Sequence, residues 1–421
     1  MQETNRTEIA TLGEFGLIKH LTQNIELKNP ETKYGVGDDA AVLEFKDKEV
    51  LVTTDLLMEG VHFDLIYTPL KHLGYKSAIV NFSDIYAMNG TPKQITVSLA
   101  VSKRFCIEDL EQFYDGLKLA CQLHNVDIVG GDTTSSVTGL AISITCIGEA
   151  DKDKVVYRNG AHDTDLICVS GDLGAAYMGL QLLEREKAVF QDQKEANPDF
   201  SGKEYILERQ LKPEARKDII EELAQAGVKP TAMMDISDGL SSELLHICKQ
   251  SHTGCRIYEE RIPIDYQTAV MAEEFNMSLI TAALNGGEDY ELLFTVPLAK
   301  HDDISALPGI RIIGHITAPS LGAYMITRDG AEITPNDAPE IMQLLTFTLN
   351  DIRFGVPMED VQSIENRMAV VGVPNALAHF EEIIDVNEQQ LIPMPSIVNG
   401  AQQEVAQLVE NSSKKTHSLS T

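Results

Sequence analysis

A carboxylate that closes an apolar run needs a partner, and the stretch Met233–Leu240, MMDISDGL, carries two of them at one such point. Met233, Met234 and Ile236 read as the end of a strand. Ser237, Asp238 and Gly239 break it and open a helix through Glu243, Leu244, Leu245 and Ile247. Asp235 and Asp238 thus fall where a strand meets a helix N-terminus, a place whose free N–H groups favour anions and where Asp238 also has the ordinary alternative role of an N-cap. They have company. Asp38 and Asp39, Asp55, Asp84 and Asp132 also lie in or at the ends of apolar runs, and a set of oxygen donors of this kind is what hard divalent cations require.

The chain has 421 residues, which predicts two α/β domains with an addition: residues 1–150, 151–343 and an extension over 344–421. Its 34 basic and 64 acidic side chains give a formal net charge of −30, which argues against a nucleic-acid partner. Six scattered cysteines without a C-x-x-C pair fit a reduced compartment. The first ten residues contain no apolar segment of a signal peptide, and no window approaches a membrane span. A cytoplasmic protein with no membrane partner is the expectation.

In chain order, Gly37-Asp38-Asp39 is an acidic turn, for which turn chemistry alone is the alternative account. Val50–Val52 reads as a short buried strand ending in Thr53-Thr54-Asp55, before a loop that contains His62. His72–Met88 reads as a helix buried on nearly all sides, so its polar residues Lys76, Asn81, Ser83 and Asp84 need partners. A strand over Gln94–Val101 and a helix over Leu110–Leu123, carrying Tyr114, come next. Strand Val126–Val129 then runs into Gly130-Gly131-Asp132-Thr133-Thr134, glycines that would let main-chain N–H groups approach a phosphate, or else an ordinary turn. Strand Leu140–Gly148 closes the first domain. In the second, Arg158 can reach a phosphate or stay solvated, and strand Leu166–Ser170 and helix Ala175–Leu183 lead to a polar loop over Lys187–Tyr205. Leu211–Arg216 opens a helix, and Gly286-Gly287-Glu288-Asp289-Tyr290 precedes strand Glu291–Phe294.

The phosphate-binding motif of P-loop proteins, a complete G-x-G-x-x-G, the kinase H-R-D, the G-x-S-x-G elbow and the H-E-x-x-H zinc helix are all absent. What remains is acidic and hydroxyl residues on glycine breaks, a pattern suited to phosphate chemistry run with several Mg2+ ions. The segments GDDAAV (Gly37–Val42), TTDLLMEGVHF (Thr53–Phe63), KSAIVNFSDIYAMNGTP (Lys76–Pro92), GGDTT (Gly130–Thr134), RNGA (Arg158–Ala161), LKPEAR (Leu211–Arg216), MDISDGL (Met234–Leu240) and GGEDYELLFT (Gly286–Thr295), in this order, resemble thiamine-monophosphate kinase. That family is similar in fold to aminoimidazole ribonucleotide synthetase. The resemblance implies an α/β (α+β) fold of two domains, the N-terminal one pairing across a homodimer and the C-terminal one completing a nucleotide cleft.

Carried over by motif, the resemblance implies that Asp38, Thr53, Thr54, Asp55, Asp84, Asp132, Asp235 and Asp238 hold Mg2+. Tyr114, Gly131, Asp132, Arg158 and Ser237 would bind ATP, and His62 and Glu288 would face thiamine monophosphate. No side chain is expected to act as a catalytic base or nucleophile, because the acceptor phosphate is largely dianionic near pH 7. The chain departs from the family pattern after about Thr327 and contains no Trp, although the family closes with a Gly-Trp segment near the thiamine. Leu344–Ile364 with Val371–Phe380 resembles the start of a CheW-like chemotaxis coupling domain, the alternative being an extension of no known role, and Asn399–Thr421 has a disorder-prone composition. The alternatives for the whole chain are a sister ATP-dependent enzyme with another substrate, or a non-catalytic nucleotide-binding regulator.

Overall fold

A computed structural model describes residues 20–34, 42–43, 48–192, 200–334, 344–349, 352–357, 370–372 and 382–384. Gly37, Asp38 and Asp39 lie outside the described residues. The chain divides into two compact units, Met1–Glu340 and Ile341–Thr421.

The first unit opens with a short pair, β1 (Thr32–Tyr34) and β2 (Val42–Leu43), antiparallel to each other. A four-stranded sheet follows, made of β3 (Glu49–Met58), β4 (Thr91–Val101), β5 (Asp127–Ser135) and β6 (Leu140–Ala150) in the order β3-β6-β4-β5. β6 pairs antiparallel with β3 and β4, while β4 and β5 run parallel. Helices α1 (Leu70–Ala87) and α2 (Ile107–His124) complete this part. Leu73, Ala78, Ile79, Phe82 and Ile85 of α1 are almost wholly buried, as an apolar run without a polar face requires. The two helices cross backbone to backbone: a Cβ on Gly74 would sit 1.9 Å from the Phe113 carbonyl oxygen, and one on Gly116 1.7 Å from that of Lys71.

A seven-stranded sheet follows in the order β13-β12-β9-β11-β7-β10-β8. Its strands are β7 (Leu166–Ser170), β8 (Ala232–Asp235), β9 (Gly254–Tyr258), β10 (Leu292–Val296), β11 (Ile310–Thr317), β12 (Ala323–Ile326) and β13 (Glu332–Ile333). Every neighbour pair is antiparallel except β9 with β12. The helices here are α3 (Ala175–Asp192), α4 (Glu204–Leu211), α5 (Lys217–Gln225), α6 (Leu240–Ser251), α7 (Tyr266–Glu274), α8 (Leu279–Asn285) and α9 (His301–Ser305). Leu240, Leu244 and Ile247 of α6 pack with Ile167, Val169 and Leu293 in one core. Ile219 and Leu223 of α5 pack with Cys168, Met233 and Phe294 in another, and α3, α4, α7 and α8 share a third. The fold is the expected two-domain α/β arrangement. In the second unit, β14 (Leu344–Leu349) pairs with β15 (Ile352–Pro357) and β16 (Val370–Gly372) with β17 (Glu382–Ile384), both antiparallel.

Five local readings need correction. β3 is a ten-residue strand, so Thr53-Thr54-Asp55 lies at its middle and not at its end. Val50 and Val52, read as buried, are 42% and 64% exposed, because a strand alternates faces and only Leu51, Thr53, Asp55 and Leu57 turn inward. Gly130-Gly131-Asp132 does not leave the sheet but continues β5, where a Cβ on Gly131 would stand 1.8 Å from the Val97 carbonyl oxygen of β4. The glycine is required by strand packing. Finally, α3 continues to Asp192 through the region read as loop, with Arg185 pairing to Glu274 and Lys187 to Asp64 and Glu184, whereas Leu211–Arg216 is mostly non-helical and α5 begins only at Lys217.

Candidate active site

Within the first unit, a cleft of about 370 Å3 lies between β3 and α1 on one side and the 157–159 loop and β8 on the other. Thr53, Asp84, Arg158 and Asp235 line it. The α1 helix presents two adjacent residues to two different elements. Thr53 of β3 donates its hydroxyl to Asp84 Oδ2 at 2.5 Å, and Ser83 donates its hydroxyl to Asp235 Oδ2 of β8 at 2.6 Å. Ser83 thus finds its partner on β8 and Asp84 its partner on β3, while Asn81 donates to Ser77 O of its own helix at 3.1 Å and its buried Oδ1 has no partner.

The three carboxylates are electrostatically unfavourable as they stand. Burial first, and then the charge of Asp84, push the Asp55 carboxyl up to about 6. The same two causes push Asp235 up to about 7. Asp84 is itself raised by burial, against the Thr53 hydroxyl and the Arg158 guanidinium, which favour its charged form. Asp55 Oδ2 is buried and has no hydrogen-bond partner. Among the described residues no three His, Cys, Asp or Glu side chains converge on a single metal position. The donor chemistry nonetheless fits Mg2+: the ligands are oxygen, the carboxylates repel one another, and one buried carboxylate oxygen is unpartnered.

The MDISDGL segment and the GGEDYEL segment form one structure. β8 pairs with β10, Asp235 standing opposite Leu292, and the ladder is prolonged by Ile236 N–H to Glu291 O at 2.8 Å, Tyr290 N–H to Ile236 O at 2.9 Å and Glu288 N–H to Ser237 O at 2.7 Å. Asp235, Ser237, Asp238 and Glu288 are thus neighbours. Asp238 is not the N-cap. That position is held by Gly239, at φ 117°, where a Cβ would approach the Leu284 carbonyl oxygen to 2.5 Å. The Asp238 N–H is instead bonded to Glu243 Oε1 at 2.9 Å, which leaves the exposed Asp238 carboxylate without a capping role.

Two family models match: "AIR synthase related protein, N-terminal domain" over residues 37–150 and its C-terminal counterpart over residues 165–324. The chain is 36% identical over 286 residues to the thiamine-monophosphate kinase of Aquifex aeolicus, covering 68% of this chain and 86% of that one. It is 35% identical over 288 residues to the enzyme of the same name from Bacillus subtilis, covering 68% and 84%. The chain belongs to the thiamine-monophosphate kinase family. Among solved structures, "AaThiL complexed with AMPPCP and TMP" aligns at 34% identity and a TM-score of 0.60, covering 78% of this chain and 97% of that one. The thiamine-monophosphate kinase of Stenotrophomonas maltophilia K279a aligns at 29% identity and 0.65, covering 76% and 98%. Hydrogenase maturation protein HypE, at 18% identity and 0.61, shares the fold.

Not every residue that the thiamine-monophosphate kinase resemblance nominated comes to the cleft. Thr54 sits on the outward face of β3, with its hydroxyl bonded to Ile144 O, so it cannot share a side-chain site with Thr53 and Asp55. Asp132 is exposed on β5, at the opposite edge of the sheet from β3 and roughly 14 Å away at ordinary strand spacing, and its Oδ1 accepts the Thr133 N–H. Tyr114 is buried in the first domain's core, its phenol pushed up to about 12 by burial. His62 is exposed in the turn after β3, where its Nδ1 accepts the Met58 N–H at 3.0 Å. Sequence reading missed the buried ion cluster behind Glu288: Arg209 and Arg216 both bind Glu291, Ser170 donates to it, and Arg209 Nη2 donates to Asp172 O and Asp289 O at 3.1 Å each. Its signal was present in the Arg216 and Glu291 of quoted motifs. Arg209, two residues before LKPEAR, carried none.

Proposed function

We infer that the protein transfers the γ-phosphoryl group of ATP to thiamine monophosphate, giving thiamine diphosphate and ADP. The observation that carries this reading is the cleft to which the two domains bring one carboxylate each, Asp84 from one and Asp235 from the other, with Asp55 close enough to feel the charge of Asp84, in a chain whose relatives are thiamine-monophosphate kinases.

The barrier to this reaction is repulsion between a dianionic acceptor and the ATP phosphates. Bound Mg2+ would supply the positive charge between them, held by Asp55, Asp84 and Asp235, with Thr53 and the hydroxyl of Ser83 orienting two of those carboxylates. Arg158 lines the cleft and is exposed, and it would face ATP phosphate oxygens. Ser237, Asp238, Glu288 and His62 are assigned to the acceptor and nucleotide and Asp38 to Mg2+, as the resemblance implies, whereas Tyr114, Gly131 and Asp132, placed in the core, in a strand contact and at the far edge of the sheet, are given no role in this cleft. Transfer is direct and in line. Incubation of the purified protein with ATP, Mg2+ and thiamine monophosphate should yield thiamine diphosphate; ATP consumption only with a different acceptor would identify a sister enzyme.

The homodimer belongs to the same proposal. Val50, Val52, Leu56 and Met58 form an exposed apolar stripe on the outward face of β3, from 39% to 64% exposed, a face suited to a second copy. Val52→Lys should shift the mass measured by analytical ultracentrifugation from dimer to monomer. An unchanged mass would place the pairing elsewhere. No helix among the described residues is long and apolar enough to cross a membrane.

A further inference from the structure

The acceptor end of the site contains a carboxylate whose direction is set from the other domain. Lys76 of α1 is buried, with 4% of its side chain exposed, and its Nζ donates to Glu288 Oε2 at 2.9 Å and to the Gln210 carbonyl oxygen at 3.1 Å. Gln210 at the end of α4 donates its side-chain Nε2 to the same Glu288 Oε2 at 2.9 Å. Oε2 is therefore saturated, and Oε1 has no protein donor among the described residues. The Glu288 backbone is in the left-handed region at φ 58°, which a non-glycine residue adopts only when its surroundings hold it there.

The position of Lys76 on its helix gives the contact its meaning. Lys76 and Ser83 are seven residues apart, two turns on one face of α1, or about 10 Å along the axis. Each donates to a carboxylate of the second domain, Ser83 to Asp235 at the phosphate end of the cleft and Lys76 to Glu288 beyond it. One rigid helix, locked at Gly74 against α2, thereby spaces the two.

We propose that Lys76 and Gln210 are positioning residues for the acceptor: they occupy Oε2 of Glu288 so that Oε1 is presented to the cationic or amine-bearing ring of the acceptor, at a distance from the phosphate end fixed by α1. This rests on the assignment of Glu288 to the acceptor. A carboxylate with one oxygen held by a buried ammonium keeps one rotamer, so its other oxygen favours a cationic ring over a neutral one of the same length.

The test uses the full-length protein with ATP, Mg2+ and thiamine monophosphate. Glu288→Gln should raise KM for thiamine monophosphate about tenfold, the loss of one charge-assisted contact, with KM for ATP within about twofold. Lys76→Met should reproduce that separation, Lys76→Arg should recover part of it, and the double variant Lys76→Met/Glu288→Gln should be no worse than either single change. Gln210→Leu should raise the same KM about threefold, since it deletes one amide hydrogen bond to Oε2 while Lys76 still holds that oxygen. A raised KM in Glu288→Gln with normal values in Lys76→Met and Gln210→Leu would overturn the positioning role and leave the Glu288 assignment standing. An unchanged KM in Glu288→Gln would remove the assignment and the proposal with it. If Lys76→Met does not fold, Gln210→Leu and Lys76→Arg decide: a lower melting temperature with both KM values unchanged would mean a structural contact only.

Discussion

Asp84 is the residue on which the two domains depend most, because its charge raises both Asp55 and Asp235 while its own oxygen is held by Thr53. Without cations this arrangement destabilises the fold, so its retention points to function and not to packing. Asp84→Asn removes a repelling charge but keeps an acceptor for Thr53. We expect turnover to fall at least about a hundredfold, a loss of roughly 3 kcal/mol of transition-state stabilisation, with a melting temperature equal to or above that of the parent. Asp235→Asn should behave alike, since its new amide oxygen can still accept from Ser83. Calorimetry beside steady-state rates separates the cases: a fall in melting temperature with normal activity per folded molecule would make both residues structural. Asp84 and Asp235 were legible as cleft residues, because a carboxylate in an apolar run has few explanations. Thr54 was not, for adjacent residues in a strand face opposite ways and the letters TTD do not say which face is the cleft. Glu243 was overlooked for another reason: in sequence it looks like an exposed helix residue, yet it is 1% exposed, raised to about 8 by burial, and it anchors the Asp238 N–H.

At the scale of elements, α1 was readable and β3 was not, and the cause is the same apolar run seen in two geometries. A helix apolar on all sides has no choice but the interior. A strand rich in Val, Leu and Met has two faces, and its exposed apolar face reads the same as its face toward the core. The contact between α1 and the end of α2 supplies a pH test. His124 is buried against Phe82 and Tyr86, with Tyr86 OH 2.9 Å from its Nδ1, and burial pushes its imidazole down to about 4, opposed by Glu214 and assisted by Lys217. Its place at a helix C-terminus would favour the charged form, but burial wins. The unfolded chain takes up this proton near pH 6.5 and the folded chain only near pH 4, so stability from this site is complete above 6.5 and falls as pH drops to 4. Measured as a difference in unfolding free energy between the parent and His124→Gln, the loss should reach roughly 3 kcal/mol at most across that window. A difference that does not change with pH would show that the imidazole is already free to protonate in the fold.

The whole molecule is a kinase body followed by an addition, each a compact unit of its own. Both family models end by residue 324 and the first compact unit by Glu340, so truncation after Gln343 should leave solubility, melting temperature and turnover as they are. An insoluble product, or one with lower turnover, would make the extension part of the body and give its CheW-like resemblance a functional setting. The remaining question concerns the nucleophile, on which the charge argument is most exposed. A phosphate monoester arrives ionised, and a cleft built from repelling carboxylates is a site for cations that such a dianion can share. Thiamine offers instead a neutral alcohol of high pKa, so the same cleft would have to remove a proton, and the carboxylates that line it, Asp84 and Asp235, are the ones the proposed Mg2+ sites would occupy. Thiamine should therefore be a very poor acceptor, at least about a thousandfold below thiamine monophosphate in kcat/KM. The same logic predicts no covalent intermediate: γ-labelled ATP without acceptor should leave no label on the denatured chain. Efficient phosphorylation of thiamine would sink the substrate assignment, whereas a labelled side chain would sink direct transfer and leave the substrate in place.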